Sequence, residues 1–412
     1  MRKIILLLTA AIACLTACSG DDEPEVIRTL KTSRTVLVYM SGENNLTYHN
    51  GYTYLQNDIY ELLNGSKQIA DDECLLVYVD AAKKELPYLA RMKDGALVDS
   101  VSISDMNISN SDEYSSDPNV MEKVIRYAFN KYSSEKSEYG LVLWGHCSGW
   151  LMHDSIPYTA MGRRLAYGGD TGTNSVNSEG FYWLNIPTMA KMLGKLPHLK
   201  YIFADCCNFQ CVESAYELRN VTDYIIGSSA EIPGDGAPYS TVVPALFDKT
   251  TYWKSIADRY YEQSSKNVQV PLSVIKTSEM EQLAQATRQV LSTFVPQIEG
   301  KYPDMTGLIH YFYDSSRYRF YDINDFILKY AATDDYTTWK KSFDKAVVYK
   351  LMATRWMTNV SWTSYYTDFL VTEEKYGGVS MFVPQWRYQT KINDEIKQMA
   401  WYSAAGLEEL GW

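Results

Sequence analysis

An α/β fold, with a mainly parallel sheet covered by helices on both faces, follows from two observations on this sequence. Five short runs are apolar at almost every position: residues 35–40 (Thr-Val-Leu-Val-Tyr-Met), 74–79 (Cys-Leu-Leu-Val-Tyr-Val), 141–144 (Leu-Val-Leu-Trp), 201–204 (Tyr-Ile-Phe-Ala) and 224–227 (Tyr-Ile-Ile-Gly). A strand wet on one face alternates polar and apolar residues, whereas a strand buried on both does not. Between the runs lie stretches with helical spacing, and strands alternating with helices imply crossover connections and parallel neighbours. The 412 residues allow one enlarged α/β domain with additions.

Taken in order, residues 54–63 carry apolar positions at helix spacing. Residues 88–92 and 96–102 read as an antiparallel hairpin around Lys93-Asp94-Gly95. Asp117-Pro118 opens a helix over 120–132, with a capping acid and a proline in its first turn. Residues 151–183 are polar and glycine-rich, a long insertion of the kind that is functional or unstructured. Residues 208–219 read as a helix, with Phe209, Val212, Tyr216 and Leu218 on related faces. From 245 onward the chain is mostly helical, most clearly over 278–295, and residues 378–383 form a late strand ending at Pro384. The expected organisation is a leader at 1–17, an acidic tether at 18–32, an α/β core at 33–244, and an extension at 245–412 that returns 378–383 to the core.

The N-terminus sets the location. Met1-Arg2-Lys3 precedes an apolar stretch, residues 4–15, too short to span a bilayer as an ordinary helix. Leu15-Thr16-Ala17-Cys18 resembles a bacterial lipobox, which implies cleavage before Cys18 and a diacylglycerol on its sulfur. Residues 19–25 (Ser-Gly-Asp-Asp-Glu-Pro-Glu) resemble the acidic export signal of some Bacteroidetes lipoproteins, which implies an outer-membrane, surface-facing protein. The net charge is −11, and losing the leader removes two basic residues and no acid. Such a chain repels nucleic acid and favours cationic substrates. With Cys14 cleaved off and Cys18 lipidated, Cys74, Cys147, Cys206, Cys207 and Cys211 remain. That odd number leaves a thiol unpaired, unusual in an exported protein unless the thiol is needed.

Two strand ends carry chemistry. The run 141–144 leads into Gly145-His146, and the run 201–204 into Asp205-Cys206-Cys207. Open α/β sheets gather their chemistry at the carboxyl ends of strands. An imidazole and a thiol at two such ends form a candidate nucleophilic dyad. A helix beginning at Asn208 places Cys207 at its N-terminus, where the helix dipole lowers a thiol pKa. The backbone N–H groups of Cys147 and Cys207 are candidate oxyanion donors.

Several segments together resemble the clostripain-like cysteine peptidases: residues 36–45 (Val-Leu-Val-Tyr-Met-Ser-Gly-Glu-Asn-Asn), 141–150 (Leu-Val-Leu-Trp-Gly-His-Cys-Ser-Gly-Trp), 205–218 with its Asp-x-Cys, 227–239 with Pro-Gly-Asp-Gly, and the late strand. The resemblance implies a caspase-like α/β/α sandwich and hydrolysis of polypeptides after Arg or Lys. It makes His146 the catalytic histidine and Cys207 the nucleophile. Asp205 becomes the acid of the basic-residue pocket, and Asp235 a second acid there. Such peptidases cut themselves between the two motifs, where Arg163-Arg164 stands. No metal ligand or cofactor is expected; calcium activation, known in the family, is left open because no acidic run has calcium-loop spacing. Two positions depart from the pattern: Cys147 replaces a glycine and Cys206 a small residue. Cys147 is also a candidate disulfide partner that would silence Cys207.

Three other readings fit parts of the sequence. Gly145-His146-Cys147-Ser148-Gly149 matches a nucleophile elbow with Cys147 attacking and His310 as base, but no helix start follows it. His146, Cys147, Cys206, Cys207 and Cys211 lack the spacing of a usual metal site. A non-catalytic surface lipoprotein binding peptide or glycan is the alternative outside enzymology, motivated by the 34 Tyr and by Cys147. His49, His153 and His198 read as surface residues and His310 as core.

Overall fold

The structure, a computed structural model, describes residues 31–82, 86–109, 114–152, 166–171, 182–264, 269–298, 302–311, 320–357, 369–385 and 390–412. Strands β1 (Arg34–Gly42), β2 (Glu73–Ala81), β3 (Tyr88–Lys93), β4 (Ala96–Ser102), β5 (Glu138–Cys147), β6 (Tyr167–Asp170), β7 (Tyr182–Leu184), β8 (Leu199–Asp205), β9 (Thr222–Ser228), β10 (Leu272–Lys276), β11 (Tyr321–Asp322), β12 (Val347–Leu351) and β13 (Ser380–Met381) alternate with helices. The helices are α1 (Tyr54–Gly65), α2 (Pro118–Lys131), α3 (Ile186–Leu193), α4 (Val212–Glu217), α5 (Tyr239–Leu246), α6 (Tyr252–Gln263), α7 (Met280–Phe294), α8 (Ile323–Tyr330), α9 (Thr333–Ala346), α10 (Thr390–Glu395) and α11 (Ala400–Ala404).

The main sheet runs β12-β10-β9-β8-β5-β1-β2-β3-β4, with β6 and β7 branching from the end of β5. The five apolar runs are its parallel centre, β9-β8-β5-β1-β2. Every residue of β1 is buried, which is why its sequence shows no alternation. The expected hairpin is β3–β4, added antiparallel to β2. Helices α1, α5 and α6 cover one face of the sheet; α2, α3, α4 and α7 cover the other. This is the expected α/β/α sandwich. Asp117 caps α2 by accepting from the N–H groups of Asn119 and Val120, with Pro118 behind it. Among the described residues no helix is long and apolar enough to cross a membrane.

Three expectations change. The extension, expected to be mostly helical, also supplies strands to the main sheet: β10 pairs antiparallel with β9, and β12 with β10. Of residues 378–383 only Ser380–Met381 is a strand, and it pairs with β11 outside the main sheet. The helix read over 208–219 is confined to Val212–Glu217. Its first turn is lost because Asn208 is left-handed at φ 55°. The N–H groups of Asn208 and Gln210 instead donate to the carbonyls of Ala230 and Ser228, holding this segment against the end of β9.

Gln210 locks the segment in place. Its buried Nε2 donates to the carbonyls of Ile225 (3.2 Å) and Ser273 (3.0 Å), and its own carbonyl accepts from the N–H of Ser380 at 3.1 Å. Gln210→Leu leaves two inward-pointing carbonyls without this donor. It should lower unfolding free energy by about 1–3 kcal/mol, visible as a lower urea midpoint at an unchanged slope.

Candidate active site

Register and pleat assemble the site. Trp144 of β5 is paired with Asp205 of β8. His146 and Cys207 each follow two residues later, on adjacent strand ends. Alternate residues share a face, so Trp144 and His146 look the same way as Asp205 and Cys207, toward α1, α5 and α6. Cys147 and Cys206 look the other way. Backbone glycine links the two ends: at Gly149 (φ +63°) a Cβ would lie 2.6 Å from the carbonyl oxygen of Asn208.

His146 is half-buried, and its Nε2 is 2.6 Å from Oδ1 of Asn45 in the turn after β1. An amide oxygen only accepts, so Nε2 carries the proton and Nδ1 keeps its lone pair. Asn45 was not singled out from the sequence; its signal was only its place in the turn that follows a buried strand.

The Cys207 thiol is pushed up rather than down. Burial is the main cause and the Glu231 carboxylate the next, while the Ile232 N–H, 3.4 Å from Sγ, opposes them. This corrects the expectation of a helix-lowered thiol. Cys207 lies five residues before α4, beyond the reach of that helix's dipole. Raised in this way, the Cys207 side chain rests as a neutral thiol.

The carboxyl groups on this face are more numerous than the sequence suggested. Asp205 is 2 % exposed, and its Oδ2 accepts from Tyr239 Oη (2.7 Å) and the Ala237 N–H (3.1 Å). Burial pushes it up to about 6 against these donors. Gly236, at φ +58°, closes on it so tightly that a Cβ would lie 2.9 Å from Oδ2. Asp235 beside it is exposed. Asp58 of α1, buried and bonded to Trp144, faces the same acids. Its position among Leu55, Ile59 and Leu62 was the available signal, since an acid at a core-facing helical position needs a reason.

On the opposite face, Cys147 Sγ accepts from the Gly149 N–H at 3.3 Å and its thiol interacts with that of Cys206. All five cysteines among the described residues are thiols. Cys147 is thus turned away from Cys207, against the disulfide considered above. After it, Ser148 extends the antiparallel β5–β6 pairing by donating to the Ala166 carbonyl, and residues 149–152 form no helix, which counts against the elbow reading. His310 packs edge-on against Phe369 at 4.8 Å in a satellite core. A second acid group was not seen in the sequence. Glu43, Asp80 and Asp170, all buried, bring one oxygen each within 4.8 Å of one another. Burial raises Asp80 to about 7 and Asp170 to about 8, while Ser115 donates to both. Oxygen donors of this kind suit a hard cation. Cys18, Arg163 and Arg164 lie outside the described residues.

Against known proteins, the Clostripain family (peptidase C11) matches residues 38–407. Two solved structures cover 92% of this chain and 99% of their own, each with a TM-score of 0.72. One is a secreted C11 cysteine protease from Bacteroides thetaiotaomicron in complex with an irreversible peptide inhibitor, 29% identical. The other is an inactive zymogen C11 protease from Parabacteroides distasonis, 28% identical. A B. fragilis cysteine protease, 30% identical, covers 57% of this chain and 98% of its own, with a TM-score of 0.51. Among curated proteins nothing matches at a significant level.

Because Asn45 fixes the ring and tautomer of His146, Asn45→Leu should lower kcat by about 10- to 100-fold with little change in KM. Steady-state kinetics on a peptide substrate measures both.

Proposed function

The chain belongs to the Clostripain family of cysteine peptidases, and from that premise we propose that it cuts polypeptides after arginine or lysine with Cys207 and His146. The observation that supports this most is the register of β5 and β8: Trp144 pairs with Asp205, and His146 and Cys207 each follow two residues beyond that pair on neighbouring strand ends.

In the proposed reaction His146 takes the Cys207 proton as Sγ bonds to the scissile carbonyl carbon. The backbone N–H groups of Cys207 and Cys147 receive the oxyanion. The carbon–nitrogen bond breaks, and imidazolium gives its proton to the leaving amine. Water, deprotonated by His146, then attacks the thioester, and Cys207 departs with the proton returned to it. Asp205 and Asp235 draw the cationic side chain into place. Arg163-Arg164 is the proposed point of self-cleavage, and Cys18 the proposed lipid anchor at the outer membrane.

Protein lacking residues 1–18 should hydrolyse fluorogenic arginine and lysine peptides and shorten itself on a gel. Cys207→Ala should abolish both, by at least about 10³-fold, while Cys147→Ala keeps measurable turnover. Loss in Cys147→Ala alone would instead assign the nucleophile to Cys147. For the anchor, the full chain should sediment with membranes and need detergent for release, whereas Cys18→Ala should be found in the soluble fraction.

A further inference from the structure

The loop between β1 and α1 carries more than Asn45. Residues 49–52 form a tight turn in which the N–H groups of His49 and Tyr52 each donate to the other's carbonyl at 2.9 Å. Asn50 and Gly51 between them are left-handed, at φ 50° and 90°, the primed turn that an Asn-Gly pair favours. The base of the loop is pinned. The Leu55 N–H donates to the Leu46 carbonyl at 3.1 Å. The Thr47 hydroxyl donates to the Gly42 carbonyl and accepts from the Ala82 N–H at 3.0 Å.

This braced loop holds a tyrosine ring out in solvent. Tyr52 is 60 % exposed. It stacks on Tyr54, with ring centroids 5.9 Å apart and planes 8° from parallel. Tyr54 packs in turn against the loop after β9, where a Cβ on Gly234 would lie 2.8 Å from its ring. The next residue, Asp235, is exposed. Burial and, next, the Asp235 charge raise the Tyr54 hydroxyl above its ordinary range. The loop therefore touches the site at two places: Asn45 holds His146 at 2.6 Å, and the paired rings meet the segment that carries Asp235.

An exposed ring beside a catalytic site offers a π face to what binds there. Such a face takes an apolar side chain or a cation. The exposed Asp235 carboxyl and a net charge of −11 favour the cation. Among basic side chains arginine suits the place best, because a planar guanidinium lies flat on a ring while its edge donates to a carboxylate.

We propose that Tyr52, backed by Tyr54 and with Asp235 beside them, forms a subsite for a second basic side chain, so that paired basic residues are cut in preference to single ones. This subsite rests on the basic-residue reading above and extends it. The residue before the scissile bond goes to Asp205 and Asp235, and its basic neighbour lies on the Tyr52 ring. Arg163-Arg164, the proposed point of self-cleavage, is such a pair.

Internally quenched peptides test this. The parent peptide has one arginine flanked by alanines. Its relatives replace the alanine before or after that arginine with arginine, citrulline or phenylalanine. Mass spectrometry of the products counts only cuts after the fixed arginine, and kcat/KM is compared within each protein, so differences in folding or yield cancel. Arginine on one flank should raise kcat/KM about three- to tenfold over citrulline on that flank. Tyr52→Leu, which keeps an apolar side chain and loses the ring, should erase this gain, and Tyr52→Phe should keep it. No gain from either flanking arginine, or a gain that survives Tyr52→Leu, would overturn the subsite. A larger gain from phenylalanine than from arginine would overturn its cationic chemistry. The basic-residue reading is checked apart from this, by changing the fixed arginine of the parent peptide to citrulline: unchanged turnover there would overturn that reading, whatever the flanks show.

Discussion

The parallel pairing of β5 with β8 is the constraint on which the site depends. Trp144 opposite Asp205 fixes the phase of both strands. Because side chains alternate with a period of two, a slip of one residue would send Cys207 to the wrong face and bring Cys206 to the pocket. The register is held from outside the pair as well. β1 flanks β5 on its other side over eight further residues, Arg34–Ser41, and β9 flanks β8. Beyond the strand ends, Gly149 against Asn208 and Gln210 against β9 and β10 carry that alignment into the two loops.

The acids and the thiol gathered near these strand ends are nearly dry, with electrostatic consequences. Desolvation is the largest influence on Asp58, Asp80, Asp170, Asp205 and Cys207, and in each it favours the neutral form. The carboxyls are tolerated because fixed donors aim at them: Trp144 at Asp58, Tyr239 and Ala237 at Asp205, Ser115 at Asp80 and Asp170. A thiol raised in the same way, as at Cys207, is chemically quiet until a base reaches it.

The sequence by itself determined the layer architecture, the parallel centre of the sheet, and the two strand ends that carry an imidazole and a thiol. These were legible because burial on both faces strips a strand of polar residues, and because strand ends are marked by the polar residues that follow them. Tertiary structure alone decided the surroundings of Cys207. The expected helix at Asn208 yields to pairing with the end of β9, since Ala230 and Ser228 offer carbonyls that a local propensity cannot foresee. β10 and β12 likewise join the sheet from an extension that reads as helical, because an edge of unpaired backbone groups accepts any strand the chain can bring to it. The acids were visible one at a time, but Asp58 with Asp205, and Glu43 with Asp80 and Asp170, are far apart along the chain. A carboxyl's charge state follows from who its neighbours are in space, and that is set only when the strands and helices have packed.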